Sequence, residues 1–276
     1  MGATLGGVLS ALSPARRRVV LAIVAVLLAV AVTVAVTVVV RRSGATPVRP
    51  VALDRPGPVL LIPGYGGAVG SLQPLARRLR AAGKDATVVR LPGGGTGDLA
   101  EQARAVGAAA RRALARTGAT SVDVVGYSAG GVVARLWARE GGGRSIARRV
   151  VTLGSPHHGT QLAGLAASLA PDQCPTACRQ LTPGSALLAR LNSGDETPDG
   201  PLWVSIWSTV DDVVIPPDSA RLEGALDLTV QDVCPRSRVP HSALPTDPVV
   251  TGIVLAELAP TPLALFSTVD CERLSS

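Results

Sequence analysis

The chain has 276 residues, enough for one large domain or two small ones, and is 47% hydrophobic but only 2% aromatic, so its core must be built from Val, Leu, Ala and Ile. Its formal charge is +7, yet residues 1–49 hold Arg16, Arg17, Arg18, Arg41, Arg42 and Arg49 and no acid, which leaves about +1 for everything after. That balance excludes a basic nucleic-acid footprint on the main body of the protein.

Taken in chain order, a basic segment (1–18) precedes an uncharged stretch from Val19 to Val40, with only Thr33 and Thr37 as polar breaks. As a helix the stretch spans about 33 Å, enough to cross a hydrocarbon core of about 30 Å. It is longer than the apolar region of a cleavable signal, about 7–15 residues, and reads as a transmembrane anchor, with a cleaved signal as the alternative. The missing polar face together with the arginine borders speaks against a core helix of a globular domain. Nearly equal arginine counts on its two sides leave orientation open. Cys174, Cys178, Cys234 and Cys271 all lie downstream, in no metal-type spacing. Two disulfides place the large domain in an oxidising compartment, extracytoplasmic and either anchored or secreted. Of three possible pairings, Cys174–Cys178 with Cys234–Cys271 is expected.

Residues 41–57, rich in Pro and Arg, read as an extended linker. From 58 to 276 short apolar runs alternate with helical patterns. Strands are predicted at 59–62, 87–91, 122–125, 148–153, 202–207 and 226–230. Helices are predicted over 72–83, 99–117, 131–140 and 248–258. Continuous apolar strands alternating with helices predict an α/β domain whose mostly parallel sheet is covered on both faces. Residues 160–200 break the rhythm with an apolar run (162–170), two cysteines and a Pro/Gly/Asp-rich end. An insertion of this size is expected to act as a lid or cap.

"VVGYSAGG" (124–131) follows a predicted strand and opens a predicted helix. That is the setting of a nucleophile elbow, in which a serine, here Ser128, sits on a strained strand-to-helix turn. Gly126 and Gly130 leave room for neighbouring backbone there, and the Ala129 amide can face a developing oxyanion. A serine needs a base, and three histidines exist. His157 and His158, in "GSPHHGT", have no suitable upstream acid and are expected to be structural or pocket-lining. His241, in "VPHSALPTDP", comes last, as the chain order Ser, Asp, His of this elbow requires. Asp211 and Asp212 both stand where strand 202–207 runs out. "LLIPGYGG" sets Gly64 to Gly67 beyond the first strand, where amides can supply a second oxyanion donor. The two tyrosines, Tyr65 and Tyr127, fall inside these two loops and are expected to line an acyl pocket.

"PGYGG", "LPGGGTGDL", "GYSAGGVVAR", "TLGSPHHGT", "WSTVDDVVIPP" and "VPHSALPTDP" together resemble the secreted lipases and esterases of the α/β-hydrolase superfamily, particularly the actinobacterial triacylglycerol lipase-like group, over about residues 57–258. Pro63 stands where many relatives have histidine. The resemblance implies Ser128 as nucleophile, His241 as base and Asp211, the first aspartate of the D-x-V-V-x-P pattern, as acid, with the amides of Tyr65 and Ala129 forming the oxyanion hole. It implies a serine ester hydrolase acting on lipid or other acyl esters, with no metal or organic cofactor. An acyltransferase or thioesterase on envelope lipids, or a catalytically silent lipid-binding protein, would use the same scaffold. Beyond the acyl ester and a membrane held through the N-terminal helix, no partner is expected, and the chain is expected to be a monomer.

Overall fold

The computed structural model describes residues 13–43, 48 and 50–275. The chain divides into two compact units, Met1–Pro47 and Val48–Ser276. The described part of the first is one helix, α1 (Pro14–Ser43), 30 residues long. It starts inside the basic segment, so Arg16 and Arg18 belong to its first turns instead of preceding it. Its stretch Pro14–Val34 is long and apolar enough to cross a membrane. The rest of the basic segment (1–12) and linker residues 44–47 and 49 lie outside the described residues.

The second unit is built on six strands: β1 (Val59–Ile62), β2 (Ala86–Val88), β3 (Val122–Tyr127), β4 (Ala147–Leu153), β5 (Leu202–Trp207) and β6 (Leu226–Thr229). All are parallel, in the order β2-β1-β3-β4-β5-β6. The register explains why these runs carry apolar residues without alternation. Leu60, Val124, Val150 and Trp203 form one row across the sheet, and Leu61, Val125, Val151 and Val204 form the next. The first row faces α3 (Leu99–Thr117) and α4 (Ala129–Glu140). The second faces α2 (Gln73–Ala81) and, further along the chain, the helix at Pro248–Glu257. With both faces covered, each such side chain contributes about 1.5–3 kcal/mol by burial.

Local chemistry sets the element ends. Asp98 caps α3 by accepting the Glu101 amide at 3.0 Å, and Gly118 closes it at φ 70°. β6 stops one residue short of the expectation because Thr229 and Asp232 form a reciprocal capping box, so Val230 opens a helical turn. β2 ends at Val88, three residues early. Val89 still donates to the Leu61 carbonyl, but the chain then turns through Gly93, Gly94 and Gly95, all at positive φ.

Charged side chains lie at the bottom of the sheet, at the strands' N-terminal ends. Arg148 and Asp123 are fully buried and joined by two hydrogen bonds, 2.9 and 2.5 Å. Arg148 also donates to the carbonyls of Leu53, Leu258 and Ala259, and Arg149 to those of Glu257 and Thr261. A buried ion costs several kcal/mol unless its hydrogen-bonding capacity is filled, and here the chain's own carbonyls fill most of it.

The 160–200 insertion folds into α5 (Gln161–Leu169), α6 (Thr176–Gln180) and α7 (Ala186–Leu191). The helix at Pro248–Glu257 is α8. Disulfides join Cys174 to Cys178 and Cys234 to Cys271, the expected pairing.

Candidate active site

The nucleophile candidate owes its placement to a turn that few residues tolerate. Ser128 links β3 to α4 at φ 53°, ψ −128°, the one non-glycine residue at positive φ among the described residues. The turn is held by the Ser128 amide donating to the Leu153 carbonyl at 2.8 Å. A Cβ on Gly126 would lie 2.6 Å from the Gly130 carbonyl oxygen, and one on Gly130 would lie 2.3 Å from that of Ile62. The two glycines that flank Ser128 in the motif are therefore steric requirements of the elbow.

His241 and Asp211 reach the same corner from different loops. His241 Nε2 lies 3.0 Å from Ser128 Oγ, and His241 Nδ1 lies 2.7 Å from Asp211 Oδ2. Both are nearly buried, at 4% and 6% exposure, whereas Ser128 is half-buried and reaches the cavity. Asp211 Oδ1 accepts the amides of Val213 (2.9 Å) and Val214 (2.8 Å), which leaves Oδ2 for the imidazole. Asp212 points elsewhere: its Oδ1 accepts the backbone amide of His241 at 3.0 Å. The geometry thus separates the two adjacent aspartates.

A cavity of about 340 Å³ opens beside Ser128. Its wall is mostly apolar: Leu162, Ala163 and Ala166 of α5, with Cys178, Leu181 and Val214. Tyr65 also lines it. Tyr127 does not, which corrects the expectation for that residue. Its ring packs against His241, centroids 5.1 Å apart, and its hydroxyl donates to the His241 carbonyl at 3.1 Å. Burial, with the charges of Asp211 and Asp212, pushes the Tyr127 hydroxyl up to about 12, so it remains a donor at any ordinary pH. Ala129 is the first residue of α4, where an N–H has no intrahelical acceptor, and Tyr65 follows β1 in the adjoining loop.

His157 and His158 bond elsewhere than to Ser128. His157 is fully buried, with Nε2 3.1 Å from Thr152 Oγ1, and burial, with Arg135 nearby, holds it well below the ordinary histidine value. His158 Nε2 lies 2.9 Å from Glu196 Oε1, a bond that raises its pKa. Gly154, within the "TLGSPHHGT" segment, is a site residue that sequence reasoning missed. At φ 51°, a Cβ there would lie 3.0 Å from Asp211 Oδ2 and 3.2 Å from His241 Nδ1. Its place one residue beyond a strand that neighbours the serine strand was the available signal. Among the described residues, no group of three or more His, Cys, Asp or Glu is placed to hold a metal ion.

Residues 112–242, just under half of the chain, match the lipase (class 2) family, and they include Ser128, Asp211 and His241. No curated protein matches the sequence. Among solved structures, lipase B of Aspergillus fumigatus is similar at TM-score 0.66 and 20% identity, over 79% of this chain and 56% of that one. The mature form of the Bacillus licheniformis lipase BlEst2 is similar at TM-score 0.63 and 20% identity, over 78% of this chain and 96% of that one. The chain thus spans little more than half of the Aspergillus protein and nearly all of mature BlEst2. In fold the chain is similar to these lipases, and its match to the lipase (class 2) family spans the three residues that meet at the corner.

Proposed function

We propose that the chain is a serine ester hydrolase that cleaves lipid acyl esters through a covalent acyl-enzyme. One observation carries the reading: a continuous Ser128–His241–Asp211 hydrogen-bond relay, 3.0 and 2.7 Å, opening on an apolar cavity. His241 Nε2 takes the Ser128 proton as Oγ attacks the ester carbonyl, and then passes it to the departing alkoxide. Asp211 receives the Nδ1–H, fixing the tautomer and stabilising the imidazolium. The amides of Tyr65 and Ala129 donate to the oxyanion, and water, deprotonated by His241, releases the acid.

The cavity supports the acyl part of this reading, because a wall made mostly of Leu, Ala and Val side chains offers an alkyl chain apolar contact. Its rim supports a lipid substrate. Tyr65, Leu162 and Val213 are exposed where they line the cavity, and Leu165 (59%) and Leu169 (78%) continue the apolar face of α5. The apolar helix α1 and two disulfides support an extracytoplasmic domain, anchored through α1 or secreted after its removal. The 160–200 insertion is proposed as the cap over the acyl chain.

Purified protein assayed on p-nitrophenyl esters of graded chain length tests the reading. Ser128→Ala is expected to lower kcat by about 10⁴–10⁶, and a fluorophosphonate is expected to label Ser128. Near-full activity in Ser128→Ala, or no labelling of folded wild-type protein, would overturn it.

A further inference from the structure

Each of two dipeptides touches His241 twice. In Tyr127-Ser128, the serine hydroxyl meets the imidazole and the tyrosine hydroxyl donates to the His241 carbonyl at 3.1 Å. In Asp211-Asp212, the first carboxylate holds Nδ1 and the second accepts the His241 amide at 3.0 Å. His241 sits on a loop, at the start of one short helical turn (His241–Ala243). Its backbone thus has both polar groups fastened by side chains from the two loops that carry the proposed nucleophile and acid.

We propose that Tyr127 and Asp212 are positioning residues that hold the His241 main chain, so that its imidazole bridges Ser128 Oγ and Asp211 Oδ2. The inference rests on the ester hydrolase reading. The physical argument is one of tolerance: a misplacement of about 1 Å at a reacting group can cost about 10²-fold, and loop backbones drift more readily than strands. Side-chain bonds to both ends of one residue's peptide units restrict rotation of that residue about its own Cα. The Tyr127 ring, packed against the imidazole, limits tilt in the remaining direction. Asp211 and Asp212 are the charges that face Tyr127, and both favour its protonated, donating form. The two adjacent aspartates divide the work: Asp211 holds the ring and accepts the amides of Val213 and Val214, and Asp212 accepts the amide of His241.

The test uses the full-length protein on a soluble short-chain ester, with kcat, KM, fluorophosphonate inactivation rate and Tm recorded for each variant. Tyr127→Phe removes the hydroxyl and keeps the ring. Asp212→Ala removes the acceptor, and Asp212→Asn keeps a carbonyl oxygen that can accept the same amide. Tyr127→Phe and Asp212→Ala are each expected to lose about tenfold in kcat and in inactivation rate, with KM within about twofold. Asp212→Asn is expected to recover most of the Asp212→Ala loss. The inference is overturned by wild-type kcat in Tyr127→Phe and Asp212→Ala. It is equally overturned by an Asp212→Asn variant as slow as Asp212→Ala, which would make charge, not the backbone bond, the cause. Ser128→Ala and His241→Ala run alongside keep the two readings apart. If these retain activity the hydrolase reading itself fails; if they are dead while the positioning variants are unaffected, only the inference falls.

Discussion

Residues 160–200 enter the sequence as one interruption, but they fold as two regions with opposite attachments. α6 and α7 belong to the core: Ala177, Cys178, Leu181, Leu187, Leu188 and Leu191 are buried in the same cluster as α3 and α4. Arg135 of α4, itself fully buried, donates to the carbonyls of Leu191 and Glu196 and to Asn192 Oδ1. α5 buries one side chain, Ala163, and turns Leu162, Leu165 and Leu169 outward. One half of the insertion is therefore built into the core, and the other, α5, buries little and lines the cavity while carrying an apolar outer face. An irregular stretch in an otherwise regular pattern does not reveal which part of it is anchored; buried partners do.

The largest effect is expected at the anchored half. Arg135→Met strands two carbonyls and an amide in a site that admits no water easily. Loss of about 3 kcal/mol in denaturant unfolding is expected. Burial lowers the Arg135 guanidinium only to about 10, so it stays charged at neutral pH and its loss cannot be mimicked by titration near pH 7. A loss under 1 kcal/mol would mean that α7 is held by its leucines alone.

The pH dependence of stability sharpens the same contrast, because two adjacent histidines act in opposite directions there. His158 is raised by its bond to Glu196, so its contribution is fully present below about 6.5 and is lost as pH rises through the raised folded value. His157 is depressed by burial, so its contribution is present above about 6.5 and is lost as pH falls toward the lowered folded value. Unfolding followed from pH 5 to 9 is expected to show both limbs. His158→Gln is expected to flatten only the alkaline one, and an unchanged alkaline limb would refute the assignment.

The smallest effect on stability is expected at α5. Leu165→Gln and Leu169→Gln should shift unfolding by no more than about 0.5 kcal/mol, since neither side chain is buried. Hydrolysis of an emulsified long-chain ester is expected to fall several-fold while a soluble short-chain ester is turned over as before. Equal losses on both substrates would show that the outward leucines act through the fold and not through contact with lipid.

Much of this architecture was legible because the physics that builds a covered parallel sheet leaves uninterrupted apolar runs. β1 and β5 match their expected bounds, and α3 ends where Asp98 and Gly118 punctuate the sequence. Ser128 and His241 were legible as candidates because strained turns and chain order restrict where such residues can stand. The division between Asp211 and Asp212 was not, since it depends on which carboxylate two downstream amides capture. Tyr127 was misread as a pocket residue because a motif gives its neighbours in sequence and says nothing of the direction of its ring. The arginines that open β4 look like surface residues until Asp123, from the neighbouring strand, is set beside them.

Arg148 Nη1 donates to the carbonyls of Leu53, ahead of β1, and Ala259, just after α8. The segments just ahead of β1 and just after α8 are thereby held by one guanidinium at the opposite end of the sheet from Ser128. One side chain at the closed end of the sheet thus fastens two segments that lie more than two hundred residues apart in the chain, while the catalytic candidates gather at the other end.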